Sequence, residues 1–497
     1  MTEDRNSYKN IFKSISLFGG VKIIQIIIGI IRNKIIALLL GPNGMGIFGL
    51  ITSSTEMVAA LTGCGLQTSA VRDVAQAHDS KDEERIGTTI KVLRKLVWVT
   101  GILGMLVVFF MAPLLSVWAF GDKEYTIAFR VVSVIMLFNQ INIGQTVLLQ
   151  GTFHYKYMAK SALFGNVLGL VITLPLYYFF GIKAIVPAII ISSLIALSLS
   201  WYYADKISFK KVKLTIKELL FKGKGMLSLG IVIALTGLAG VGQAYGLRIF
   251  ISNIGGVADV GLYVAGFAIS STYVNLILSS MSSDYAPRLS VVANNNILLT
   301  STINKQANLL LVILTPLVLI FIVFVKLLII LLYSPQFVEI VSMTEWVMLG
   351  MFFRTISWTI SFSFIARGES RIFFFNELLA TIYMLVFYVI GYKVYGFEGM
   401  GIAFLTSYIC YSLQMFIIAK LKFNFYFEKE FLKNMIVQVL FCVLLFTLLK
   451  IIGYSSYRYI LGLFFIGVSV YFCYKQLNKM IDLKLMIYQF KNKMSRK

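Results

Sequence analysis

The sequence predicts an all-α integral membrane protein of about fourteen transmembrane helices. Two parallel six-helix repeats would form N- and C-lobes around a central cleft, with two further helices at the C-terminus. Three observations carry this expectation. Of 497 residues, 58% are hydrophobic and only 13% charged, where a soluble protein carries roughly 25% charge. The apolar residues form continuous runs long enough to cross a bilayer, not ten-residue stretches of alternating polarity, which excludes a β-barrel. Finally, related segments recur at one offset near 215 residues.

A crossing helix needs about 20 apolar residues. Such runs lie at roughly 16–40, 44–68, 93–115, 126–149, 161–180, 184–204, 225–251, 259–282, 307–332, 340–365, 372–394, 399–419, 434–452 and 457–474. The first is long and lacks a small-residue cleavage site, so it reads as a retained span and not a signal peptide. The domains follow: an N-lobe at 1–204, a basic amphipathic cytoplasmic connector at 205–224, a C-lobe at 225–422, and two added spans with a basic tail at 423–497. Cys64, Cys410, Cys442 and Cys473 all fall inside these runs without metal-ligand spacing and read as packing residues. No metal site, cofactor or catalytic residue is expected.

Charge sets the orientation. The chain carries +23, from 45 basic and 22 acidic side chains. With the N-terminus inside, 33 of the basic residues fall on the cytoplasmic side, including Lys206, Lys210, Lys211, Lys213, Lys217, Lys222 and Lys224 of the connector. The other side holds Lys123, Arg130, Lys183, Lys393, Lys450 and Arg458. Both termini are therefore expected in the cytoplasm. The basic collar is suited to anionic lipid, and no aromatic-interleaved basic domain outside the bilayer suggests nucleic acid.

Duplication shows in RNKIIALLLGPNGMGIF at 32–48 and RIFISNIGGVADVGLY at 248–263. Gly41 and Gly46 map onto Gly256 and Gly261, and with Pro42 they are the candidate hinge or turn residues. Further matches pair Leu149-Gln150-Gly151 with Ala366-Arg367-Gly368, and GIKAIVPAIIIS from Gly181 with GFEGMGIAFLTS from Gly396. An offset of six spans gives parallel repeats.

Charged groups inside a span are costly and are functional candidates. The basic ones are Lys22, Arg32, Lys34, Arg248, Lys326 and Arg354; the acids are Glu56, Glu345 and Glu377. At 100° per residue, Lys22, Gln25, Gly29, Arg32 and Asn33 share an arc of about 100°. Asn139, Asn142, Thr146 and Gln150 share a face, as do Arg354, Ser357, Trp358 and Ser361, and as do Ser271, Asn275, Ser279 and Ser282. The candidate cleft is thus Lys22, Gln25, Arg32, Asn139, Asn142, Arg248, Asn275, Arg354 and Trp358. Ser, Thr and Asn also serve simply to join transmembrane helices. A basic cleft in low dielectric favours an anion, and the arginine fork suits phosphate. Amides, hydroxyls, Trp358 and Tyr245 suit a sugar. Composition alone does not separate such a ligand from another organic anion.

The stretch from Lys34 to Asp79, KIIALLLGPNGMGIFGLITSSTEMVAALTGCGLQTSAVRDVAQAHD, resembles the first two spans of bacterial O-antigen and enterobacterial-common-antigen translocases. These form the polysaccharide-exporter branch of the multidrug/oligosaccharidyl-lipid/polysaccharide flippase superfamily. The turn at Gly41, Pro42, Gly44 and Gly46 carries most of the likeness; the second half reads GGVADVG, without the proline. The resemblance implies flipping of undecaprenyl-diphosphate-linked oligosaccharide units across the bacterial inner membrane by alternating access. Implied partners are the polyprenyl-diphosphate-linked glycan, a polysaccharide polymerase and glycosyltransferases.

Glu56 is the candidate acid for coupling to H+ or Na+, with pairing to Arg32 as its alternative role. A cation-coupled multidrug exporter would share the architecture but want an acid-dominated cleft. An enzyme would need clustered acid–base groups. The two histidines, His78 and His154, lie in separate loops, and the segment around His78 reads as a solvated connecting helix.

Overall fold

The computed structural model describes residues 2–480 except 211 and 213, with side chains from residue 24 onward apart from those at 216, 217, 220, 232, 236, 283, 479 and 480. Among the described residues there are no strands. In order the helices are α1 (Thr2–Thr62), α2 (Leu66–Asp79), α3 (Glu83–Phe120), α4 (Thr126–Val132), α5 (Val134–Gly151), α6 (Tyr155–Phe180), α7 (Ile185–Ala204), α8 (Ile216–Gly255), α9 (Val257–Val291), α10 (Asn296–Leu332), α11 (Val341–Ala366), α12 (Ser370–Phe423), α13 (Lys429–Ile452) and α14 (Ser456–Met480).

Ten helical stretches among the described residues are long and apolar enough to cross a membrane, or eleven with α8, whose halves bend by 45°. Three of these are long enough to cross twice: Ile24–Thr62, Tyr155–Ala204 and Ser370–Phe423. Each breaks at a glycine in the left-handed region, at Gly41 (φ 65), Gly181 (φ 55) and Gly396 (φ 57). Splitting them there brings the spans to about fourteen, in agreement with the sequence.

The same backbone angles reveal the duplication. Gly41 and Gly256 both have positive φ, and so do Phe153 and Gly368, and Gly181 and Gly396. Every pair is 215 residues apart, and the last shares ψ of −134° as well. This corrects one alignment: helix α5 ends at Gly151 and α11 at Ala366, so Gly151 lies opposite Ala366, not Gly368.

The chain divides into two compact units, one of residues 1–264 with 332–336 and one of 265–331 with 337–497. In the first unit α2 corrects a second expectation, since it is not merely a solvated connector. Leu66, Ala70 and Val74 sit on one face of α2 and pack with Val92, Leu93, Leu96, Val97, Val147 and Met226. The second span is also shorter than its apolar run. It stops at Thr62, and Cys64 lies in the turn that follows, with φ 49.

The connector is not helical from its start. Ile207 and Phe209 alternate with polar residues, and both pack on the core of Ile90, Leu148, Leu149 and Ala204. The Arg94 guanidinium lies over the Phe209 ring at 5.0 Å and reaches Asp205 at 3.4 Å, while Lys91 Nζ donates to the Val212 carbonyl at 2.6 Å. Helix begins only at Ile216, where Thr215 and Glu218 form a reciprocal capping box.

The Thr215 backbone N–H, and then its hydroxyl, donate to the Glu218 carboxylate and hold that acid below its usual range. A depressed acid contributes stability above its unfolded pKa and loses it as pH falls through the folded value. Thr215→Ala is therefore expected to speed amide exchange in the first turn of α8 at neutral pH, whereas the native chain frays there only on acidification. Equal protection in both chains at neutral pH contradicts the cap.

Candidate functional site

In the first unit, the first arm of α1 meets α5, α6 and α7 around a cavity of about 300 Å³. Gln25, Gly29 and Arg32 line it from α1, at the i, i+4, i+7 spacing of one helix face. Asn142 and Thr146 face it from α5, Ser161 and Asn166 from α6, and Ser192 from α7. Gly165 and Gly169 keep α6 thin here: added β-carbons would already touch α7 at 3.7–3.8 Å. Arg32 is exposed on the cavity, and among the described residues no acid forms an ion pair with it. Glu56 does not pair with it. Lys22 lies outside the residues whose side chains are described.

Asn139 turns away from Asn142 and lines a second, smaller cavity of about 70 Å³ with Thr55, Glu56, Thr62, Thr100 and Gln140. The Gln140 amide donates to Thr100 Oγ1 at 3.0 Å and to the Gly63 carbonyl at 3.4 Å. The Glu56 carboxylate stands in this polar setting with no ion pair among the described residues. Arg248, on α8, donates to the Gly49 carbonyl at 3.4 Å, so part of its donor capacity is spent holding α8 against α1.

The glycine turns meet. A β-carbon on Gly46 would stand 1.8 Å from the Val257 carbonyl oxygen, and one on Gly261 would stand 1.9 Å from that of Pro42. The two duplicated turns thus lie backbone against backbone, where only glycine fits.

In the second unit, Arg354 Nη2 donates to Asn275 Oδ1 at 2.7 Å, joining two of the sequence-selected residues. The guanidinium sits 6.0 Å over the Tyr408 ring. Trp358 stacks on Tyr285 at 5.7 Å and packs on Phe362 at 4.7 Å. Many hydroxyls of the polar stripes are engaged by their own helices: Ser271 donates to Phe267, Ser357 to Arg354, Ser361 to Trp358 and Thr146 to Asn142.

A charge cluster that the sequence did not reveal lies in the same unit. Arg458, expected on the outward side at the start of the fourteenth span, is buried. It donates to Glu345 Oε1 at 2.6 Å and to the Ile322 and Val323 carbonyls at 2.7 and 3.3 Å. Tyr454 donates to the same carboxylate at 3.2 Å, and Lys450 bridges Glu345 and Glu398 at 3.8 and 2.9 Å. The only sequence signal was an acid in the tenth span and an arginine opening the fourteenth.

The first unit thus encloses two polar cavities, one lined by Arg32 and the other by Glu56, in a chain of about fourteen crossing helices, and solved structures share that fold. The fold is similar to that of lipid II flippase MurJ in an inward closed conformation, with TM-score 0.69 and 13% identity over 94% of this chain and 99% of that one. An inward-facing multidrug resistance MATE family transporter of the MOP superfamily matches with TM-score 0.67 and 17% identity, over 80% and 94%. A MOP superfamily transporter from Pyrococcus furiosus, described as having a binding pocket of reverse polarity, matches with TM-score 0.57 and 15% identity, over 83% and 96%. No curated protein matches at the sequence level. Residues 35–342, more than half the chain, match the family described as polysaccharide biosynthesis protein. The chain belongs to that family.

Proposed function

We propose that the chain is a flippase for undecaprenyl-diphosphate-linked oligosaccharide repeat units. It would carry them from the cytoplasmic to the outer leaflet of a bacterial inner membrane by alternating access, for O-antigen-like surface polysaccharide. The observation that carries this reading is the unpaired Arg32 guanidinium on a polar cavity within a span. Such a charge is costly unless an anion completes it, and a diphosphate offers the oxygens its fork suits. Gln25, Asn142 and Ser161 beside it suit sugar hydroxyls. The polyprenyl tail would remain in lipid.

Membership in a polysaccharide biosynthesis family and a fold shared with a lipid II flippase support the same substrate class. Glu56 in its polar cavity is the candidate for binding a coupling ion, H+ or Na+. Anionic lipids would meet the basic collar, with both termini cytoplasmic, and a polymerase and glycosyltransferases would act before and after. A multidrug exporter of organic cations would want acids where Arg32 and Arg354 stand.

Arg32→Ala and Arg354→Ala are each expected to abolish complementation of a flippase-deficient strain at unchanged protein level. Full activity in both variants removes these residues from cargo binding.

A further inference from the structure

Of the three acids that the sequence places inside spans, Glu56 lines the smaller cavity and Glu345 is held by Arg458, but Glu377 has neither role. Its side chain is part-buried on the first arm of α12, and among the described residues no cation pairs with it. Its partner is a hydroxyl: Tyr411, on the second arm of the same helix, donates to Glu377 Oε1. One rung away Gln414 donates to the Asn376 carbonyl at 3.2 Å, which fixes the two arms in register. Tyr383, within electrostatic range of the acid, has a buried hydroxyl with no hydrogen-bond partner.

A carboxylate in low dielectric without a counter-cation is costly, and taking up a proton relieves that cost. Tyrosine suits both states, because its hydroxyl donates to a carboxylate and accepts from a carboxylic acid. From Tyr411 the Tyr408 ring lies 6.3 Å away, and the Arg354 guanidinium lies 6.0 Å beyond that. The groups nearest the acid are therefore Tyr383 on its own arm and Tyr411 on the other, with Tyr408 and Cys410 beside these tyrosines and Arg354 of α11 over the Tyr408 ring.

We propose that Glu377 and Tyr411 form a proton-binding site in the second unit whose occupancy tunes the attraction of Arg354 for an anionic cargo. Hydronium gives up a proton to a Glu377 carboxylate oxygen, breaking its own O–H bond to leave water and forming the carboxyl O–H, while the Tyr411 hydroxyl turns to accept a hydrogen bond from it. Release to water reverses the step. Protonation removes a negative charge two rings from Arg354 and strengthens its hold on an anion. The cargo part of the proposal rests on the flippase reading; the proton site does not.

The test uses the purified full chain in lipid nanodiscs and liposomes. Infrared difference spectra on acidification should show the C=O stretch of a protonated carboxyl that is lost in Glu377→Gln and shifted in Tyr411→Phe. In liposomes holding a polyprenyl-diphosphate glycan, an imposed proton gradient should stimulate flipping by the native chain and by Glu377→Asp but not by Glu377→Gln. Identical spectra for the native chain and Glu377→Gln overturn the proton site. Undiminished gradient stimulation in Glu377→Gln overturns its link to cargo. A native chain that shows the band but flips no glycan overturns the flippase reading and leaves the proton site standing.

Discussion

Alanine at Gly46 or Gly261 is expected to destabilise the protein by on the order of 3 kcal/mol or more and to remove transport with it. Overpacking a tight site typically costs about 1–3 kcal/mol, because side chains can shift to make room. Here the obstacle is backbone: the new β-carbon would stand 1.8 Å from the Val257 oxygen or 1.9 Å from the Pro42 oxygen. Relief requires parting α1 from the start of α9. Gly246 is the control. It lies in α8 with nothing within 4 Å of an added β-carbon, and alanine there should be neutral or stabilising by up to about 1 kcal/mol through helix propensity. Thermal unfolding of the three variants in detergent checks the difference. A Gly46→Ala chain as stable as Gly246→Ala contradicts the close approach.

The buried pair of Glu345 and Arg458 carries the second large effect. Removing one partner of a buried ion pair typically costs about 3–5 kcal/mol, since the other charge is left desolvated and unpaired, whereas replacing both by apolar groups is often neutral. Glu345→Gln leaves Arg458 without a counter-charge, with the carbonyls of Ile322, Val323 and Leu449 and the Tyr454 ring beneath it, and Arg458→Met leaves the carboxylate with Tyr454 and the more distant Lys450. Each single variant should lose most of its folded yield. The double variant Glu345→Met with Arg458→Met should recover a large share. A double variant as damaged as the sum of the singles shows that the two groups act independently.

The spans, their number and the duplication were legible in the sequence because bilayer thickness fixes run length and a glycine at positive φ leaves a residue type that can be matched between halves. The turn at Gly41 and its counterpart at Gly256 illustrate this. That the two turns pack on one another follows from tertiary folding, not from either segment. The α1 stripe of Gln25, Gly29 and Arg32 was legible from helical periodicity. The wall opposite it, made by Ser161, Asn166 and Ser192, was not, because small and amide residues there carry no charge signal.

The polar stripes promised more free hydroxyls than exist. Serine and threonine in a span satisfy themselves on the carbonyl three or four residues back, as Ser271 and Ser361 do. Arg458 misled for a related reason: a charge at a helix start looks solvated, whereas it is buried against Glu345, 113 residues earlier, and the carbonyls of Ile322 and Val323.

In the proposed flippase cycle, the unpaired Arg32 receives the diphosphate of a lipid-linked glycan during its passage across the membrane. The most direct measurement is the leaflet distribution of that lipid. Cells depleted of the chain, or carrying only Arg32→Ala, are analysed by mass spectrometry after labelling of the glycans that face outward. The prediction is accumulation of polyprenyl-diphosphate-linked repeat units inaccessible from outside, reversed by the native chain. An unchanged outward fraction in both strains contradicts it.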